Sequence, residues 1–140
     1  MSLFSLTKNE RLSRKKSIDR LFREGASFFN HPFKVYWLLT PVDSGNPAQV
    51  MVIVGKRAFK RAVDRNKIKR QIREMYRHEK PGLYQFLKAN DRQCQFCLIY
   101  TSNNLPDYHE LERKIKLIFR RLINEIESKL NNNKRSLSDY

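Results

Sequence analysis

A short segment of the chain carries an unusual density of positive charge. Residues 65–74 read RNKIKRQIRE, with five cations and one acid in ten positions. Ile68 and Ile72 are four residues apart, which is the spacing of one face of a helix. The pattern predicts a helix that buries an apolar stripe and leaves its cations open. The stripe consists of Ile68, Ile72, Met75 and Tyr76.

The polar side of this helix is suited to binding an anion. Four side chains spaced 4, 3 and 4 residues apart should stack in one column, namely Asn66, Arg70, Arg73 and Arg77. A solvated helix face normally alternates its charges, because like charges at this spacing repel. Guanidinium groups bind phosphate through two parallel hydrogen bonds, and asparagine can bind a phosphate, a ribose or a base. We expect this column to bind a polyanion.

A second group of cations precedes the helix. The segment GKRAFKRAVDRN places Lys56, Arg57, Lys60 and Arg61 near the predicted helix start. Free N–H groups and the helix dipole already favour anions at a helix N-terminus, so these cations do not stabilise the fold. They gain most when a phosphate lies among them.

Residues 22–37 are rich in aromatic side chains. Most of these should belong to the core, and Phe22 and Tyr36 are the exceptions expected to stack on unpaired bases. The full set is Phe22, Phe28, Phe29, Phe33, Tyr36 and Trp37.

Other chemistry is not favoured by the sequence. Cys94 and Cys97 lie in a segment typical of a strand, where residues three apart point to opposite faces, so we predict buried apolar cysteines and no metal or redox site. The sequence contains no GxSxG, P-loop or HExxH motif. We expect a binding protein without catalytic or metal-binding residues.

Composition and periodicity predict one folded domain. The 140 residues carry a net charge of +15, with a pI near 10.2, and 40% are hydrophobic. The predicted order is helix (14–24), strand (32–40), strand (48–56), helix (from residue 60 to Pro81-Gly82), strand (93–101) and a closing helix capped by Asp107. This order indicates an α/β (α+β) two-layer sandwich over residues 1–130, followed by a disordered polar tail, 131–140. The apolar run at 50–54 predicts a strand that is central or covered on both faces.

The predicted location is the cytoplasm, without a membrane. Residues 1–15 lack the apolar stretch of a signal peptide, and the apolar runs at 35–39 and 50–54 are too short to span a bilayer. A membrane-surface protein is disfavoured because the basic helix buries only Ile, Met and Tyr.

The segment RNKIKRQIRE resembles the signature R-N-[RK]-x-K-R-x-x-R-[EQ] of the bacterial ribonuclease P protein family. The likeness extends from about Glu10 to Leu130, through LFREGAS and VGKRAFKRAV. It implies a protein that assists a catalytic RNA in removing the 5′ leader of precursor tRNA. Cleavage then belongs to the RNA and its Mg²⁺ ions, and the protein binds no cofactor and needs no obligate protein partner. The family also implies a left-handed βαβ crossover.

The resemblance assigns residues to two surfaces. The RNA subunit would contact Arg65, Asn66, Lys67, Lys69, Arg70 and Arg73, to which the column adds Arg77. The precursor tRNA leader would contact Ile18, Phe22, Tyr36, Lys56, Arg57, Lys60 and Arg61. Ile18 replaces a usual aromatic, so only apolar contact is expected from it, and the loop Thr101-Ser102-Asn103-Asn104 lacks a cation that relatives often carry. The alternatives are another structured-RNA-binding protein, such as a ribosomal protein, and an autonomous metal-dependent nuclease.

Overall fold

The computed structural model describes residues 8–42 and 45–138, with side chains to residue 133. A short 3-10 turn, Lys8–Glu10, precedes α1 (Lys15–Glu24), β1 (Ala26–Asn30), β2 (Phe33–Thr40) and β3 (Ala48–Val54). They are followed by α2 (Ala62–Ala89), β4 (Gln93–Tyr100) and α3 (Tyr108–Ser138). The predicted order of elements and the fold class are confirmed, and the sheet has one strand more than predicted.

The sheet has the strand order β1-β2-β4-β3. β2 pairs with β1 and with β4 in antiparallel register, whereas β3 and β4 are parallel and are connected through α2. A βαβ unit is therefore present, and the left-handed sense implied by the resemblance stays a prediction.

The core lies between one sheet face and helices α2 and α3. Tyr76 of α2, Phe96 of β4 and Phe119 of α3 meet there, with ring centroids 5.5 to 5.8 Å apart. On the opposite face, α1 buries Leu21 against Leu38 and Cys97 in a smaller cluster. The sheet therefore has two large helices on one side and one short helix on the other.

β1 is the strand that the sequence analysis missed. It forms a hairpin with β2, because Phe28 is buried on the same face as Val35 and Trp37. Arg121 of α3 holds this strand by donating from Nη1 to the Phe29 carbonyl at 3.0 Å and by stacking on Phe28. The turn into it requires glycine, since a Cβ at Gly25 would lie 2.4 Å from the Leu21 carbonyl oxygen.

β3 is an edge strand and not the central strand of the sheet, which corrects one part of the prediction. Its apolar character comes from coverage on both faces, because the second cluster packs against Met51 and Ile53. The segment after the 3-10 turn protects its edge, where the Leu12 N–H donates to the Val50 carbonyl at 2.9 Å. Covered edges of this kind do not pair with other chains.

α2 does not end at Pro81-Gly82 as predicted but continues to Ala89. A proline inside a helix costs about 3 kcal/mol. Beyond it, Leu83 and Leu87 extend the buried stripe, and burying each contributes about 1.5–3 kcal/mol. Pro81 and Gly82 are exposed, so the packed side of the helix is undisturbed.

α3 begins as predicted and ends later. The Asp107 carboxylate accepts a hydrogen bond from the Glu110 N–H at 3.2 Å, as a cap does. The helix continues past the buried Leu130 to Ser138, so residues 131–138 of the predicted disordered tail are helical, because extending a packed helix adds one hydrogen bond for each residue fixed. Residues 139–140 of that tail lie outside the described residues, and the single-domain assignment stays a prediction.

Among the helices of the described residues, none is long and apolar enough to cross a membrane.

Candidate nucleic-acid interface

The first half of α2 separates an apolar side from a cationic side, as predicted. Ile68 and Ile72 are fully buried, whereas Asn66, Lys67 and Arg70 are exposed. Because the buried stripe packs in the core, it determines the direction in which the cationic side of the helix faces. We use the term α2 cationic face for Asn66, Lys67, Lys69, Arg70 and Arg73.

The column of arginines is less uniform than the spacing indicated. Arg77 is half-buried and its Nη2 lies 2.9 Å from a carboxylate oxygen of Glu74. Arg73 is also half-buried, and its pKa is lowered by burial and then by the positive charge of Arg11. Of the column, only Asn66 and Arg70 are exposed.

Arg65 has a structural contact that the sequence analysis missed. Its Nη1 donates to the carbonyl oxygens of Phe59 at 2.7 Å and Lys60 at 2.9 Å. These bonds tie the first turn of α2 to the loop before it. The path of that loop is not encoded in the spacing of cations, so no sequence signal indicated this role.

The basic loop, which we define as residues 55–61, connects β3 to α2. Lys56, Arg57, Lys60 and Arg61 are exposed, and within the described part of the chain none of them forms an ion pair. Phe59 is buried in the core and anchors the loop. The four predicted cations therefore project from a fixed loop at one end of the sheet.

A small aromatic site lies on the sheet face that carries α1. The rings of Phe22 and Tyr36 meet edge to face with centroids 4.9 Å apart, and Phe22 is 39% exposed. Ile18 and Tyr36 both pack against the smaller cluster on this face. Lys34, which the sequence analysis did not select, places its Nζ 5.1 Å from the Tyr36 ring centroid. We call Ile18, Phe22, Lys34 and Tyr36 the aromatic site.

Strand register places the aromatic site toward the basic loop. Lys34 is opposite Ile99 of β4, and Ile99 is opposite Ile53 of β3. The basic loop begins two residues after Ile53. Residues assigned to one ligand by resemblance therefore lie at the same end of the sheet, although they are distant in sequence.

The other four aromatic residues of the segment 22–37 were expected in the core, and three of them are buried there. Phe28, Phe33 and Trp37 are buried in the core, whereas Phe29 is 54% exposed on the edge strand. The tilted contact of Phe29 with His31 does not cover it.

The two cysteines occupy opposite faces of β4, as predicted. Cys94 packs in the main core and Cys97 in the smaller cluster. Burial raises the pKa of both thiols to about 12. Both are therefore unreactive at neutral pH, where the thiolate is the reactive form.

The loop after β4 supports the hairpin. Thr101 donates from its backbone N–H at 2.7 Å and from Oγ1 at 2.9 Å to the Pro32 carbonyl. Ser102 Oγ accepts from the Asn104 N–H at 3.1 Å. The loop carries no cation, and its polar groups serve the local backbone.

Both the sequence and the fold of this chain are similar to those of known proteins. The sequence model of the family described as Ribonuclease P matches residues 6–127. The chain is 32% identical over 125 residues to the ribonuclease P protein component of Porphyromonas gingivalis, covering 89% of this chain and 91% of that protein. The corresponding protein of Chlorobaculum tepidum is 30% identical over 128 residues, with 85% and 83% covered.

Solved structures show the same fold. The RNase P protein of Staphylococcus aureus superposes with a TM-score of 0.65 at 20% identity, covering 81% of this chain and 94% of that one. That of Thermotoga maritima gives 0.64 at 21% identity, with 80% and 96% covered.

Proposed function

Because this chain belongs to the ribonuclease P protein family, we propose that its surfaces divide two RNA-binding tasks between them. The protein is a subunit of ribonuclease P, the ribonucleoprotein endonuclease of tRNA 5′ maturation, and its partner is the RNA subunit. A ribosomal role is not favoured. In this proposal the α2 cationic face binds the RNA subunit, and the aromatic site with the basic loop binds the precursor tRNA leader.

Exposed cations that form no ion pair in the described part of the chain support the RNA-subunit surface. Lys67 and Arg70 project from a helix whose other side is locked into the core by Ile68 and Ile72. The helix therefore fixes the backbone positions from which these cations reach the RNA, and each phosphate contact that they make releases counterions. The proposed surface consists of the α2 cationic face together with Arg65 and Arg77, that is, Arg65, Asn66, Lys67, Lys69, Arg70, Arg73 and Arg77.

The single observation that carries the leader surface is the contact between the exposed Phe22 ring and Tyr36. An unpaired base stacks on such rings with about 1–3 kcal/mol per base and little dependence on its identity. The cations Lys56, Arg57, Lys60 and Arg61 then meet phosphates of the same strand, and Ile18 adds apolar contact. A platform of this kind suits leaders of many sequences.

We place the cleavage chemistry and its Mg²⁺ ions on the RNA subunit. The protein contributes binding energy and charge neutralisation, because its fixed cations replace mobile ions along the RNA backbone. We therefore expect the protein to matter most when Mg²⁺ is scarce.

Reconstitution tests this proposal. The purified chain is added to the organism's ribonuclease P RNA at low Mg²⁺, and removal of a leader from precursor tRNA is measured under single-turnover conditions. We expect stimulation by the intact chain and no cleavage by the protein alone. Absence of stimulation would contradict the proposed role.

A pair of matched variants tests the leader surface within the same assay. Phe22→Ala should weaken affinity for precursor tRNA with an unpaired leader by roughly 5- to 150-fold, equivalent to about 1–3 kcal/mol. Tyr108→Ala removes a ring of similar exposure from the start of α3, outside the aromatic site, and should have little effect. Equal losses in both variants, or an equal loss with tRNA lacking a leader, would reject the aromatic site.

A further inference from the structure

A polar groove lies on the other flank of α1, away from the basic loop. It has a volume of about 850 Å³ and lies between the 3-10 turn, the start of α1 and the sheet end formed by Thr40, Ala48 and Gln93. Ser17 and Arg20 of α1 line it, whereas Ile18 and Phe22 belong to the aromatic site. The groove is therefore separate from the proposed leader surface.

The groove is cationic and carries no aspartate or glutamate among its described lining residues. Lys8, Arg11 and Arg14 are exposed along it, and Arg20 is paired with Glu24 at 2.7 Å. A concave surface lined by one sign of charge concentrates the opposite charge. An anionic ligand is indicated.

The floor of the groove presents carboxamides in a fixed arrangement. Gln95 donates from Nε2 to Oε1 of Gln49 at 3.0 Å, and Gln49 donates from Nε2 to the Asn9 carbonyl at 3.0 Å. Each amide has two N–H donors and two acceptor lone pairs, so these bonds leave further capacity on both side chains. Oriented carboxamides hydrogen-bond to the edges of nucleobases.

The groove adjoins the α2 cationic face at the edge of β3, where Arg11 lies. Arg11 pairs with Val50 at this edge, and its charge is close enough to Arg73 of α2 to lower the pKa of that guanidinium. Two guanidinium groups close together repel each other unless an anion lies between them. A strand bound along α2 can therefore extend into the groove.

We propose that this groove holds an unpaired segment of the RNA subunit, with phosphates on Arg11 and Arg14 and a base on Gln49 and Gln95. The proposal rests on the proposed function of the α2 cationic face. The groove would add a site that can prefer one base, whereas the α2 cationic face would contact the phosphate backbone of the RNA.

The buried native thiols allow a selective crosslinking test in the assembled enzyme. Ser13 is exposed on the groove wall, so Ser13→Cys can carry a thiol-linked aryl azide while Cys94 and Cys97 stay unmodified. Lys67→Cys reports the α2 cationic face, and Arg113→Cys on α3 serves as the negative control. Each is irradiated with the RNA subunit and precursor tRNA.

Crosslinks from position 13 to an unpaired nucleotide of the RNA subunit are expected. Crosslinks to the leader, or none at position 13 while position 67 reacts, would overturn the groove proposal and leave the α2 assignment intact. Failure at position 67 would reject the α2 assignment itself.

Two double variants separate a specific groove from general charge. Arg11→Gln with Arg14→Gln should abolish the crosslink from position 13 and reduce the log–log salt slope of RNA-subunit affinity by about 1.4, or 0.7 for each single-strand phosphate contact. Arg113→Gln with Arg120→Gln removes the same charge from α3 and should change neither. Equal effects of the two pairs would contradict the proposal.

Discussion

Arginines that look equivalent in the sequence make different contacts in the fold. Arg65 binds two backbone carbonyls, Arg70 is open, and Arg77 is paired with Glu74. Arg65 and Arg70 belong to the signature, and all three lie on α2. A guanidinium that already has partners must give them up before it binds phosphate, so the three should contribute unequally to RNA affinity.

Single substitutions should reveal this difference. Arg70→Ala should reduce the log–log salt slope of RNA-subunit binding by about 0.7–0.9, the value for one phosphate contact. Arg77→Ala should reduce it less, because the paired guanidinium must leave Glu74 to reach the RNA. Dissociation constants measured over a range of KCl concentrations give the slopes.

Arg120→Ala is the matched control, since it removes an exposed arginine from α3. An unchanged slope for Arg70→Ala, or an equal change for Arg120→Ala, would exclude Arg70 from the contact surface.

The candidate site was predictable from sequence where one helix fixes the geometry. The buried and open sides of α2 follow from the spacing of Ile68, Ile72 and Arg70 alone. The pair Glu74–Arg77 was also open to prediction, since the two residues are three apart on one helix. The partners of Arg65 and the position of Lys34 beside Tyr36 were not predictable, because they depend on a loop path and on strand register, which arise from tertiary packing.

Helices and strands were predicted well where a periodic apolar pattern extends over many residues, and less well at their ends. The strand predicted from residue 32 left out β1, although the polar break Asn30-His31-Pro32 marks the turn of the hairpin. Pro81 suggested a helix end, because the cost of a proline inside a helix can be read from the sequence. The core residues that Leu83 and Leu87 contact are distant in the sequence, so their contribution could not be read in the same way. The error at Pro81 arises because tertiary burial outweighs a local signal.

One contact between elements makes a testable contribution to stability. Lys80 of α2 and Glu10 of the 3-10 turn are both buried, with Nζ 3.0 Å from the carboxylate, and Tyr84 also donates to Glu10. Lys80→Met should destabilise the protein by about 3–5 kcal/mol, because it leaves the Glu10 carboxylate buried without this cation. Urea denaturation measures the change.

Two further variants define the origin of that loss. Lys88→Met alters an exposed lysine of the same helix and should stay within about 0.5 kcal/mol of the parent. Glu10→Leu combined with Lys80→Met should restore much of the stability, since no buried charge then remains. The Glu10→Leu variant is also measured alone. If the loss of stability in the double variant equals the sum of the losses in Lys80→Met and Glu10→Leu, the two ions act independently.

At the scale of the whole molecule, the charge that binds RNA opposes folding of the free protein. The chain has 29 basic and 14 acidic residues, so it repels itself at low ionic strength. Among the residues that the structure describes, each recorded ion pair other than Glu10–Lys80 joins two neighbours within the same helix and is largely exposed. Such pairs contribute about 0–1 kcal/mol each to the free energy of unfolding. They do not neutralise the α2 cationic face or the basic loop.

The free protein and its RNA complex should therefore respond to salt in opposite directions. Raising the ionic strength from about 0.01 M to about 0.1 M shortens the screening length from about 30 Å to about 10 Å, which weakens repulsion between distant cations and should raise the Tm of the free chain. In the complex, binding stabilises the folded state by RT ln(1 + [L]/Kd), and Kd rises steeply with salt. The protein transition of the complex should move to lower temperature over the same range. Circular dichroism follows the free chain, and a fluorophore on the protein follows the complex. A Tm of the free chain that falls with salt would show that specific ion pairs, and not net repulsion, dominate its electrostatics.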